Sequence, residues 1–189
     1  MHILMMIFAF ILIFIINPLI SFANAYIVGK EWKNIQYGSI WDKTLAVSGL
    51  IQSIAGFSMP TLGILLFIGY ITKYLSMNQI NIGIDLLWVS IIVPVVGSGI
   101  IITIQSIKDA IKEKSFGSGA VAFWNLGATI ENIINMVSNF GSVISDISSR
   151  SDDEDDSSKL VIVFIVGISL LLSVGFTALS FNYGKSKSQ

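Results

Sequence analysis

LIQSIAGFSMPTLGILLFIGYITKYLSMNQINIGIDLLWVSIIVPVVGSGIIITIQSI, residues 50–107, holds two apolar runs back to back. They cover about 54–75 and 82–104, with the polar stretch Ser76-Met77-Asn78-Gln79-Ile80-Asn81 between them. A run of roughly 20 apolar residues matches the hydrocarbon core of a bilayer. Backbone N–H and C=O groups find no water there, so each run must satisfy itself as a helix. A short turn between such helices makes them antiparallel neighbours. The stretch is read as a transmembrane hairpin.

The rest of the chain fits that frame. It is 53% hydrophobic and 12% charged, with a mean hydropathy of +0.79. Soluble domains are about 25% charged. The net charge of −1 offers no field for nucleic acid, and none is expected as a partner. The chain has no cysteine, which removes disulfides, thiolate metal sites and cysteine nucleophiles together. Its single histidine, His2, cannot build a metal cluster alone. No cofactor or metal is expected.

Within the hairpin, Gly56, Gly63 and Gly69 punctuate the first run, and Gly97 and Gly99 follow Pro94 in the second. Small residues let helix backbones approach, which matters where lipid removes the hydrophobic drive. These glycines are therefore candidate packing positions. The rival reading takes Pro60 and Pro94 as local unwinding around an ion site. Only Ser58, Thr61, Ser90, Ser98 and Thr103 lie nearby to support it. Asp85 is expected near a helix start, where the dipole favours an acid. Lys73 is placed to snorkel.

Residues 1–25 read as a signal peptide. Residues 3–16 are unbroken apolar, Asn17-Pro18 is expected to break the helix, and Ala23-Asn24-Ala25 has the A-x-A pattern of a cleavage site. The usual positive n-region is missing. The alternative is an uncleaved first transmembrane helix with Pro18 as a tolerated kink. Residues 26–49, with Trp32, Tyr37 and Trp41 among lysines, read as a polar interfacial segment. Residues 108–119 read as a charged connector that extends the second helix and stops at Ser115-Phe116-Gly117-Ser118-Gly119. That glycine pair follows no strand and is no phosphate loop.

Residues 120–147 carry a heptad seam of Leu126, Ile130, Ile133, Val137, Phe140, Ile144 and Ile147, and are expected to form an amphipathic helix. Asn125, Asn132 and Asn139 are seven apart, with Glu131 and Asn135 beside them. Two placements compete. The helix lies flat in the interface with its seam down, or it crosses the membrane with the asparagines and Glu131 facing a pore or partner helix. Residues 148–159 are acidic and low in complexity, and read as a flexible loop. The five consecutive acids lack the turn glycine of a calcium loop. Residues 160–181 carry no charge and read as a last transmembrane helix, with Ser169, Ser173 and Thr177 as a packing face. Residues 182–189 form a polar tail.

Charge leaves the topology open. With cleavage after Ala25 and a 120–147 helix that does not cross, most lysines face away from the cytosol, against the usual bias. With an uncleaved first span, Lys30, Lys33, Lys43, Lys108, Lys112 and Lys114 face the cytosol instead.

The order of a leader ending Ser-Phe-Ala-Asn-Ala, a short polar segment and a hairpin with the turn Asn78-Gln79-Ile80-Asn81-Ile82-Gly83 resembles small inner-membrane proteins of type IV secretion and conjugation systems, both pilin-like subunits and the Dot/Icm group. The resemblance covers residues 1–104. The amphipathic helix, the acidic stretch and the last span lie outside it, and no functional residue carries over. It implies a subunit of a larger apparatus.

The expected architecture is all-α: a polytopic α-helical membrane protein with a hairpin, an amphipathic helix and a C-terminal span. The first expected function is a non-catalytic, multi-pass subunit of a membrane complex, plausible partners being the bilayer, other membrane subunits or copies of itself. The alternative is a small channel or transporter subunit with Glu131 and the Asn125/Asn132/Asn139 row lining the path. An intramembrane enzyme lacks a histidine, cysteine or carboxylate pair at span depth.

Overall fold

The computed structural model describes residues 2–188, the side chains of His2 and Ile3 excepted. Met1 and Gln189, the outer ends of the expected leader and tail, lie outside the described residues. The described chain is all-α, with no strand. In order, α1 is His2–Ile11, followed by a π-helical turn at Leu12–Ile16, then α2 (Asn17–Lys30), α3 (Trp32–Tyr37), α4 (Ile40–Ile71), α5 (Met77–Glu113), α6 (Phe116–Asp152) and α7 (Asp156–Ser186). Four stretches are long and apolar enough to cross a membrane: Leu4–Lys30, Ile40–Ile71, Met77–Glu113 and Asp156–Ser186.

The expected break at Asn17-Pro18 is corrected. The chain stays helical through it, because the wide π turn directly precedes Pro18, which sits in the first turn of α2. Proline has no N–H to place there, and its ring needs room from the carbonyl four residues back. The interfacial segment 26–49 is likewise redrawn. Its first residues finish α2, and Ile40 onward belongs to α4. Ser39 starts that helix with a capping box: its hydroxyl accepts from Asp42 N at 3.2 Å, and Asp42 accepts from Ser39 N at 2.8 Å.

The hairpin turn falls earlier than the sequence reading placed it. Ser76 and Gln79 form a second capping box, so helix resumes at Met77 and the turn occupies residues 72–76. Lys73 takes a left-handed backbone there, with φ 61°. Gly117 and Gly119 lie inside α6, not in a connector, because Ser115 caps the helix at once by accepting from Ser118 N. Lys114, with φ 50°, makes the reversal between α5 and α6.

The acidic loop 148–159 is the largest correction. Helix α6 runs to Asp152 and α7 begins at Asp156, leaving three residues between them. Specific partners hold this stretch. Glu154 accepts from Asn78 Nδ2 at 2.8 Å and Gln79 Nε2 at 2.7 Å, and Asp155 caps α7 through Ser158 N.

Helices α2, α4 and α7 pack on one another, and α5 joins them through α4 and α7. Leu62, Leu66, Leu75, Leu87 and Val166 form the apolar core at one end. Elsewhere the seams are small and polar. Ser21, Ala25 and Gly29 are four apart on α2 and all buried. On α7, Ser169, Ser173 and Thr177 are buried against α4: Ser169 Oγ donates to Ser58 O at 3.0 Å, and Ser173 and Thr177 lie 3.0 and 3.1 Å from the hydroxyls of Thr61 and Ser53. A Cβ on Gly56 would overlap Ser21, and one on Gly63 would come within 3.0 Å of Phe14. Gly69 packs on Leu75 of its own turn. Gly97 is corrected as a packing glycine, since its Cβ position meets nothing within 4 Å.

Candidate functional site

Helix α6 runs antiparallel along the whole of α5. Thr103 Oγ1 lies 2.9 Å from Thr129 Oγ1, Asn125 Nδ2 donates to Ser106 Oγ at 2.6 Å, Trp88 and Phe140 rings are 6.3 Å apart, and Arg150 reaches Asp85. Whatever depth α5 occupies, α6 shares. The α5-facing side of α6 is Ala122, Asn125, Thr129, Ile133, Met136, Phe140, Val143 and Ile147. The predicted apolar seam is therefore rotated. Ile133, Phe140 and Ile147 face inward, while Leu126, Ile130, Val137 and Ile144 are exposed. Small and hydrogen-bonding side chains take the inward places because they let the two backbones approach: a Cβ on Gly99 of α5 would sit 3.0 Å from Thr129 Oγ1.

This pairing leaves a cleft between α2 and α6, floored by α4 and α5. One part has a volume of about 520 Å³ and is lined by Asn17, Asn24, Gln52, Trp88, Glu131 and Asn132, with aliphatic walls from Ile20, Met59, Ile91 and Val95. An adjoining part of about 550 Å³ shares Asn17, Asn24, Gln52 and Asn132 and adds Asn125, Thr129 and Trp124. Gln52 is held in place: its Nε2 donates to Val95 O at 2.9 Å and Ser98 Oγ at 2.8 Å, which leaves Oε1 free to accept. Among the described residues, the side chains of Asn17, Asn24 and Asn132 make no hydrogen bond within the protein. Gln52 lies near the middle of α4 and Val95 at the middle of α5, so the polar groups sit midway along the bundle.

Of the residues singled out in the sequence as a pore or partner face, Asn125, Glu131 and Asn132 line the cleft, while Asn135 and Asn139 do not. The sequence reading missed Asn17, Asn24, Gln52 and Trp88. The first three were signalled as isolated amides within apolar runs, but Asn17 and Asn24 were absorbed into the leader motif. No three His, Cys, Asp or Glu side chains come together among the described residues to hold a metal ion. Comparison with protein-family models, curated proteins and solved structures finds no match for this chain.

Proposed function

We propose that this chain is a non-catalytic, multi-pass subunit of a larger assembly in the cell or inner membrane, acting through helix–helix contacts. The supporting observation is the outer side of α6. Asn135, Ser138, Ser142, Ser145 and Ser149 recur at intervals of three and four, and all but the half-buried Asn135 are exposed. They lie alongside a helix apolar enough to span. A polar row at that depth is costly against lipid and calls for a neighbouring subunit or water. The hairpin at residues 50–107 resembles that of small type IV secretion and conjugation proteins, and such an apparatus is the assembly proposed. A photoreactive residue at Ser142 tests this in native membranes. A covalent adduct to another copy or another membrane protein is expected, and exclusively monomeric protein overturns the proposal.

The cleft favours a second reading, a small channel or transporter subunit with Glu131, Asn132 and Asn125 on the path. Glu131→Gln separates the two. It leaves the Ser142 adduct unchanged under both, and alters conductance or uptake in proteoliposomes only under the second.

A further inference from the structure

We infer that the cleft between α2 and α6 binds an organic ammonium cation, with Glu131 as its charge partner. This deepens the pathway reading of the same cleft by naming its ligand class. The cleft wall carries one carboxylate, and no lysine or arginine lines either part. Glu131 lies near the middle of α6, which runs beside the apolar α5, and with α6 crossing there a carboxylate at that depth calls for a partner charge, which the ligand supplies. The chemistry of the wall narrows the class. A bare inorganic ion asks for a tight shell of several oxygen ligands. This cleft has the volume of a small-molecule site, with mostly aliphatic walls and a few polar groups. Trp88 is among the lining residues, and indole is the preferred aromatic partner of an alkylated ammonium. The free acceptor on Gln52 and the unpartnered amides of Asn17, Asn24 and Asn132 suit the polar remainder of such a ligand.

The test uses the full chain in nanodiscs of phosphatidylglycerol, whose headgroup carries no amine, and radiolabelled tetraethylammonium. Saturable binding is expected, weakened on the order of tenfold by Glu131→Gln, since loss of the charge pair removes about one factor of ten per 1.4 kcal/mol. Trp88→Leu weakens it by a smaller factor. Unchanged elution of each variant on gel filtration guards against misfolding. Absence of binding to the wild type, equal binding by Glu131→Gln, or equal competition by sodium ions overturns the inference. Nanodiscs containing phosphatidylcholine identify the source. Competition there assigns a lipid headgroup, and its absence assigns a soluble cation; both support the site. Binding without flux in proteoliposomes keeps the site and overturns only the pathway reading.

Discussion

Arg150 Nη1 donates to the Asp85 carboxylate at 2.8 Å, tying the last turns of α6 to the first turns of α5. Asp85 was expected to owe its place to a helix dipole; its partner is instead 65 residues away in sequence. Both side chains keep solvent contact, with 37% and 25% relative exposure, so the pair belongs with partly screened ion pairs. A double-mutant cycle of Arg150→Gln and Asp85→Asn should give a coupling of about 1 kcal/mol or less. Unfolding in mixed micelles measures it. A coupling of zero would mean that α6 is held by its small-residue seam alone.

Helices α2 and α7 approach backbone to backbone. A Cβ on Gly29 would overlap the carbonyl of Phe181, and one on Gly184 would overlap that of Tyr26. Ala25, fully buried, lies one turn before Gly29 on the same stripe. Gly29→Ala should therefore destabilise the bundle by roughly 1–3 kcal/mol, the usual cost of overpacking. Gly97→Ala meets open space and should be neutral or slightly stabilising, since alanine gains up to about 1 kcal/mol over glycine in a helix. Equal effects from the two substitutions would show that the α2–α7 seam is not tight.

The hairpin was legible because hydropathy over 20 residues depends on no distant partner. So was the Ser169/Ser173/Thr177 row, whose spacing of four defines one helix face whatever it meets. The cleft was not. Asn17, Asn24 and Gln52 come from two helices and converge with Glu131 of a third only through the antiparallel α5–α6 pairing. That pairing is written in hydroxyls and amides, Thr103 with Thr129 and Ser106 with Asn125, not in the apolar heptad. The acidic stretch misled for a related reason. Its composition predicts disorder, yet Glu154 is satisfied by Asn78 and Gln79 from the far side of the hairpin turn. Ala25 shows the same ambiguity, since small residues suit both a cleavage motif and a helix crossing.

Asp155 gives a pH signature. Hydrogen bonds from Ser158 and then Ser157 hold its carboxyl below the usual carboxylate range. A group with a depressed folded-state pKa contributes stability that is complete above its unfolded pKa and lost as pH falls through the folded one. The first turn of α7 should accordingly fray on acidification below the ordinary aspartate range, and not near neutrality. Asp155→Asn keeps an equally good cap and should abolish that dependence. Backbone chemical shifts of residues 156–159 against pH report it. Identical titrations of the two proteins would remove Asp155 as the cause.

The element order also fixes which charges share an end of the bundle. If α6 crosses beside α5, five passes run from end to end. Lys30, Lys33, Lys43, Lys108, Lys112, Lys114, Lys185 and Lys187 then gather at one end with Glu31, Asp42, Asp109 and Glu113. The other end holds Lys73, Arg150 and Lys159 with the acids from Asp152 to Asp156. The conflict in the sequence came from removing the first helix; a crossing α6 adds Lys185 and Lys187 to the lysine-rich end and moves Arg150 and Lys159 to the other. With α6 inside and the first helix retained as a span, the lysine-rich end faces the cytosol, as basic residues in short loops generally do. The chain has no cysteine, so single substitutions can report this without background. A membrane-impermeant maleimide should label Asp153→Cys in intact cells and Lys112→Cys only after permeabilisation. The reverse pattern would place the lysines outside and support removal of the first helix. Labelling of both from outside would mean that α6 does not cross.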